Sequence, residues 1–320
     1  MKQRPKRALI VGVSGQDGAY LAQLLLGKGY EVHGSSRDHE TSLFSNLKKL
    51  GIKEMVRLHS ASLADFRSVM AVLQATDPEE VYSLGGQTSV GLSFHYPVET
   101  FESISVATLN ILECLRLLRH PARFYHASSS ECYGNTVQPA TEETPFRPRS
   151  PYAVAKAAAH HAVANYREAY GLFACNGILF NHESPLRPAR FVTQKIVSAA
   201  LRIAGGSKEK VILGNLKIQR DWGWAPEYVE VMWKILKQDQ AEDFVIATGR
   251  TNSLEEFTSK VFARLNLDWH KHVESNAALF RPSDLEISRG DPSRARQKLN
   301  WSAKIKFEDV IKKLVLDKIG

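Results

Sequence analysis

A doubly wound, parallel α/β sheet with a smaller α/β lobe after it is the fold that this 320-residue sequence predicts. Three observations carry the prediction. Short apolar runs alternate with helix-spaced segments through the first 181 positions. The first apolar run ends in a glycine-rich turn that leads straight into a helical pattern. After Asn181 the alternation breaks, in a segment rich in proline and arginine.

The elements follow in order. Residues 7–13 read as a buried strand, and 17–28 as a helix that stops at Gly29. Strands are expected at 31–35, 55–59 and 80–84, with helices at 65–75 and 98–118. Residues 124–128 form a fifth strand. Pro151 stands where the first helical position favours proline, so a helix should run from there to about Tyr170. A sixth strand is expected at 173–181 and a loop at 182–190. Beyond it come a helix at 191–204, a strand at 211–213, a helix at 226–238 and a strand at 243–248. Helices at 253–265 and 307–316 complete the chain. The expected division is a cofactor domain over 1–181 and a nucleotide-sugar lobe mainly over 182–320, with segments interleaving.

Composition narrows the function. The chain is 43% hydrophobic and 24% charged, ordinary for a water-soluble globular protein. No apolar run has the length of a membrane span, and the basic N-terminus is not followed by a signal-peptide core. Three cysteines, Cys114, Cys132 and Cys175, give no disulfide framework and fit a reducing, cytoplasmic setting. No cysteine–histidine spacing suggests a metal site. The net charge is +8, but the basic residues are scattered among acidic ones. That pattern speaks against a nucleic-acid stripe and leaves room for a small anionic ligand.

The turn after the first strand reads Gly12-Val-Ser-Gly15-Gln16-Asp17-Gly18. Glycines there permit a tight turn and a close approach of backbone to a pyrophosphate, and the helix N-terminus offers free N–H groups to it. The strand, glycine loop, helix and second strand together make a Rossmann-type dinucleotide cradle. At the end of the second strand, Arg37 suits the 2′-phosphate of NADP. Asp38 follows it and leaves NAD open, since an acidic residue there suits ribose hydroxyls.

A second constellation lies at the C-terminal end of the fifth strand, where open α/β sheets bind ligands. Ser129 and Glu131 sit there, and Tyr152 and Lys156 start the next helix one turn apart on one face. None of the other nine tyrosines has lysine four residues on. Beside an ammonium and an oxidised nicotinamide, the phenol should have a lowered pKa and act as a base toward a sugar hydroxyl. Lysine can also hold the nicotinamide ribose, and serine can hold the hydroxyl.

The cradle and the Ser129, Tyr152, Lys156 set resemble the extended short-chain dehydrogenase/reductases. Longer stretches narrow the resemblance to the GDP-mannose 4,6-dehydratases: 127–134, 146–156, 165–168, 177–185, 191–193, Gly214-Asn215, 220–223 and 244–249. The similarity covers nearly the whole chain. It implies a hydro-lyase that makes GDP-4-keto-6-deoxy-mannose and recycles NADP internally. Tyr152 would take the 4-hydroxyl proton; Glu131 would remove the C5 proton and protonate the departing 6-hydroxyl. The resemblance implies cofactor contacts at Gly12, Gly15, Gln16, Asp17, Gly18, Arg37, Ser62, Leu63, Leu84, Gly86 and His182, beside Tyr152 and Lys156. It implies substrate contacts at Ser89, Asn181, Glu183, Arg187, Lys195, Leu213, Gly214, Asn215, Arg220, Arg281 and Asp284. A homodimer is expected, and a homotetramer is the alternative.

Some positions depart from the family pattern. Ser129 stands in place of threonine. Ala61-Ser62-Leu63 replaces Gly-Asp-Leu, so the adenine contact must change. Gly85-Gly86-Gln87 replaces Ala-Ala-Gln. The 38–52 loop, which reaches a neighbouring subunit in the family, is shorter. Two other readings use the same fold: an epimerase, reductase or dehydratase of another nucleotide sugar, and a non-catalytic NADP-binding regulator. Glu131 speaks against a simple epimerase or reductase, and the retained Ser129, Glu131, Tyr152 and Lys156 against the regulator.

Overall fold

The structure, a computed structural model, describes residues 4–319. The first half runs β1 (Arg7–Val11), α1 (Gln16–Gly27), β2 (Glu31–Ser36), α2 (Ser45–Lys49), β3 (Arg57–Ser60), α3 (Phe66–Thr76) and β4 (Glu80–Ser83). It continues through α4 (Val90–Ser93), α5 (Pro97–Phe101), α6 (Ala107–Leu117), β5 (Arg123–Ser129), α7 (Pro151–Tyr170) and β6 (Ala174–Leu179). The rest comprises β7 (Asn181–Glu183), α8 (Val192–Ala204), β8 (Val211–Leu213), β9 (Gln219–Arg220), β10 (Trp222–Trp224) and α9 (Ala225–Ile235). Then come β11 (Phe244–Ile246), β12 (Asn252–Ser253), α10 (Leu254–Ala263), β13 (Val273–Ser275), α11 (Ser293–Leu299) and α12 (Phe307–Ile319).

Seven strands form one parallel sheet in the order β11-β6-β5-β4-β1-β2-β3. Strand order reverses at β1 and β4, which opens a crevice at their carboxyl ends. Alternation along β1 shows why the sheet is covered on both faces. Ala8 and Ile10 join a core with α1 and α9, while Leu9 and Val11 join one with α3, α6 and α7. A separate core gathers α8, α10 and α12 around Trp222 and Phe257. The last sheet strand, β11, and the helix packed on α1, α9, both come from beyond residue 181.

Three local differences from expectation have physical causes. Residues 182–183 are not loop: with Asn181 they form β7, which pairs in parallel with β10, a partner some forty residues on that local pattern cannot reveal. The helix expected over 98–118 is interrupted by a wider π-helical turn at Glu102–Val106. That turn pushes Ser103 against the loop after β4, where the Gln87 N–H donates to Ser103 Oγ at 3.2 Å. The strand expected at 173–181 ends at Leu179 because the chain crosses into β7.

Candidate active site

The cradle is built by two glycines with no room for a side chain. Gly12 has φ +86, and a Cβ there would stand 2.7 Å from Gly85 Cα. A Cβ on Gly18 would stand 2.4 Å from the Gly12 carbonyl oxygen. The turn therefore closes tightly on itself and leaves the first N–H groups of α1 facing the crevice. Gly15 precedes α1 and is exposed. Behind the turn, Gln16 and Asp17 tie α1 to β7. Asp17 Oδ2 lies 2.9 Å from His182 Nε2, and Ser184 Oγ donates to Gln16 Oε1 at 2.7 Å. Burial would raise the Asp17 carboxyl, but the charge and hydrogen bond of His182 outweigh it and hold the carboxyl low. His182 shows the converse: burial opposes its charge, and Asp17 raises it nonetheless.

The remaining cofactor candidates line the carboxyl ends of β2, β3 and β4. Arg37 is exposed beside β2. Asp38 is committed to its own turn, where Oδ1 accepts the Glu40 N–H at 2.9 Å and Oδ2 the Thr41 hydroxyl at 2.8 Å. Ser62 is exposed after β3, and the Leu63 carbonyl accepts from Asn110 at 2.9 Å. Leu84 and Gly86 follow β4, the latter with φ +123 against the π-turn.

At the end of β5 the four catalytic candidates come together. Ser129 Oγ accepts the Glu131 N–H at 3.3 Å. Lys156 Nζ donates to the Ala127 carbonyl at 2.7 Å, which pins α7 to β5. Ser150 caps that helix by accepting the Ala153 N–H at 3.1 Å. Burial brings the Lys156 ammonium down to about 8. Burial also pushes the Tyr152 phenol up, with the Ser129 hydroxyl and the Arg187 charge pulling against it. The lowered phenol expected above belongs to a site that also holds an oxidised nicotinamide; in the protein alone burial dominates, and the lysine faces a backbone carbonyl. Glu131 is half-buried; burial lowers the Arg220 guanidinium, and the Glu131 charge pulls the other way.

Beneath these residues lies a layer to which no motif pointed. His160 lies four residues after Lys156 and eight after Tyr152, so it shares their helix face. Its Nδ1 stands 3.2 Å from Ser128 Oγ, and its Nε2 3.7 Å from Asp243. Asp243 accepts from Arg167 at 2.8 and 3.1 Å and from the Asn176 N–H at 2.8 Å. The helical spacing could have flagged His160; nothing local could have flagged Asp243.

The substrate candidates divide into two groups. Asn181, Glu183 and Arg187 lie on or after β7. Glu183 is fully buried, accepting from Thr193 Oγ1 at 2.7 Å and pairing with Arg187 at 3.3 Å. Arg187 also donates to the His182 carbonyl at 2.8 Å. The second group is a wall made by β8, β9 and 276–285. Leu213 ends β8 and Gly214 follows it, and Ser275 Oγ donates to the Gly214 carbonyl at 2.9 Å. Asp284 lies 3.5 Å from Arg220 and 3.7 Å from Arg281, one carboxylate between two guanidiniums. Asn215 Oδ1 accepts the Lys217 N–H at 2.9 Å. Lys195 is exposed and donates to the Ile212 carbonyl at 2.6 Å. Ser89 caps α4, taking the Leu92 N–H at 3.3 Å.

A profile of the family described as GDP-mannose 4,6 dehydratase matches residues 9–314. The chain belongs to the GDP-mannose 4,6-dehydratase family. It is 44% identical to the GDP-mannose 4,6 dehydratase 2 of Arabidopsis thaliana, over 97% of this chain and 86% of that one. It is 41% identical to the human GDP-mannose 4,6 dehydratase, over 96% and 90%. Solved structures of the same fold include a UDP-glucose 4-epimerase of Thermus thermophilus in complex with NAD (TM-score 0.84, 25% identity, 97% and 98% covered). A dTDP-glucose 4,6-dehydratase of Streptomyces venezuelae matches with TM-score 0.87 at 21% identity, over 97% and 96%. Among the described residues no helix is long and apolar enough to cross a membrane, and no group of three or more His, Cys, Asp or Glu could hold a metal ion.

Proposed function

We propose that Ser129, Glu131, Tyr152 and Lys156 carry the dehydration in this chain. As a member of the GDP-mannose 4,6-dehydratase family, the protein is a dehydratase that converts GDP-mannose to GDP-4-keto-6-deoxy-mannose. The observation that carries the residue assignment is the convergence of Ser129, Glu131 and the Tyr152/Lys156 helix at the carboxyl end of β5.

The glycine turn fits a nicotinamide dinucleotide: Gly12 and Gly18 leave no room for a side chain against the backbone of Gly85 and Gly12, so the turn stays tight at the head of α1, where a pyrophosphate would meet free N–H groups. When bound, the nicotinamide supplies hydride acceptance from C4 and hydride return to C6. Tyr152 takes the 4-hydroxyl proton, and Ser129 orients that hydroxyl. The C4 ketone makes the C5 hydrogen acidic. Glu131 removes it and passes the proton to O6, which leaves as water. C5 would then regain the proton taken from O4 while the bound cofactor would return its hydride to C6, so nothing but water is lost. Lys156 would hold the nicotinamide ribose. Asn181 and Arg187 hold the diphosphate, and Arg220 and Arg281, with one charge offset by Asp284, hold the nucleotide end.

We assign NADP rather than NAD. Asp38 spends its carboxylate on its own turn, while Arg37 stays exposed for a 2′-phosphate. The protein acts as a homodimer through α6 and α7, which expose Leu109, Leu117, Val154 and Tyr170. The 38–52 loop folds on its own cradle, Asn46 donating to the Ser14 carbonyl at 3.0 Å, and this supports a dimer over a tetramer. Residues 1–181 are read as the cofactor part and 182–320 as mainly the substrate lobe, with α9 and β11 crossing back to the sheet. Three free, buried thiols fit a cytoplasmic setting.

Replacing Glu131 by Gln tests the assignment. Dehydration of GDP-mannose should fall about a thousandfold, the scale of a lost acid/base, while dinucleotide binding is kept. Dehydration at the parent rate would remove Glu131 from the mechanism.

A further inference from the structure

A cavity of about 260 Å³ lies between the segment after β11 and the turn into α12. Its walls carry Arg250, Arg296, Lys304 and Lys306, with Thr248 and Asn252 between them. No carboxylate lines it. The chain as a whole holds 42 basic against 34 acidic residues, so a lining of four cations and no acid departs from its mixed surface. Among the described residues none of the four side chains makes an ion pair. Other exposed cations do, such as Lys298 with Glu242 and Arg202 with Glu209. Glu308, whose carboxylate also feels Arg250, is paired with Lys260 at 3.3 Å.

The walls are held in place from behind. Asp221 accepts the N–H groups of Thr248, Gly249 and Arg250 at 3.0, 2.8 and 3.2 Å. Glu227 accepts those of Lys304 and Ile305 at 2.9 and 3.2 Å. Four exposed like charges from three separate segments thus share one cavity whose backbone walls are anchored, an arrangement that favours an anion.

We propose that this cavity is a binding site for a small, multiply charged phosphate anion of diphosphate size. Its volume lies below the roughly 300 Å³ at which sites for drug-sized ligands begin, which suits a diphosphate rather than a whole nucleotide sugar. None of the candidate catalytic or substrate residues lines it, so the proposal stands independently of the dehydratase assignment. It does share a wall with one of them: Asn252 pairs with Arg220 across β12 and β9.

The test is calorimetric titration of inorganic diphosphate into the full protein saturated with its nicotinamide cofactor and GDP, which fill the cradle and the nucleotide-sugar cleft. One saturable site is expected, binding monophosphate more weakly. The double variant Arg250→Gln/Lys304→Gln should weaken it about tenfold, the sum of two modest exposed-charge contributions. Lys208→Gln, which removes an exposed charge elsewhere, should leave it unchanged. Arg296→Gln alone should weaken it about threefold, which keeps the test open if the double variant does not fold. Absence of a saturable site would overturn the proposal. So would equal weakening by Lys208→Gln, or equal affinity for monophosphate.

Discussion

The two sides of the candidate site are made differently. The β1–α1 turn and the β5–α7 face are built from short stretches of consecutive sequence. Seven residues make the cradle, and Tyr152, Lys156 and His160 share a face because a helix repeats every 3.6 residues. The opposite wall is assembled from distant pieces: β8 pairs with β13 some sixty residues on, and Asp284 meets Arg220 across a similar gap. The first side is rigid because local geometry dictates it. The second depends on long-range pairing and on charges that offset one another.

That contrast can be pushed from each side. The largest effect is expected beneath α7. Asp243→Asn removes the partner of Arg167 and His160 from a buried site, at a cost of about 3 kcal/mol. Burial would raise the Asp243 carboxyl, but Arg167 and His160 outweigh it and hold it low. A depressed carboxyl contributes stability above its unfolded pKa of about 3.9 and loses it as pH falls through the folded value. Chemical denaturation should therefore separate parent and variant at pH 7 and bring them together well below pH 4.

On the distant wall, Arg220→Gln should raise the KM for GDP-mannose about tenfold to a hundredfold, the scale of one or two charge-assisted hydrogen bonds. Fold stability should change less than in the Asp243 variant, and steady-state kinetics with a thermal melt would show the split. Gly18→Ala should cost about 1–3 kcal/mol, because its Cβ meets the Gly12 carbonyl oxygen and the turn must open. Dinucleotide affinity, read by fluorescence titration, should fall with it while affinity for GDP is kept.

The smallest effect is a pH dependence. With its ammonium at about 8, Lys156 is charged below that value and neutral above it. Dinucleotide affinity should drop several-fold between about pH 7 and pH 9. Lys156→Met should bind weakly throughout, with a flat profile.

The same contrast explains what could be read before the structure. β1, α1, β2 and α7 were readable because apolar spacing, a glycine turn and Pro151 are local signals. So were Tyr152 and Lys156, one turn apart. Residues 182–183 read as loop because, among the described residues, β7 pairs with the distant β10 and not with a local neighbour. The π-turn at 102–106 was missed because nothing in its composition differs from the helix around it; it exists where Ser103 packs on Gly86. Spacing shows Lys156 near Tyr152 but not that its ammonium donates to the Ala127 carbonyl. Asp243 was invisible as part of the site because its partners, Arg167, Asn176 and His160, converge only in the fold.

The most direct test of the central claim is to incubate the protein with GDP-mannose in heavy water and weigh the nucleotide sugar. The account predicts loss of one water, gain of a single deuteron at C5 and no net consumption of nicotinamide. An unchanged mass, or water lost without deuterium at C5, would contradict proton removal by Glu131 at the end of β5.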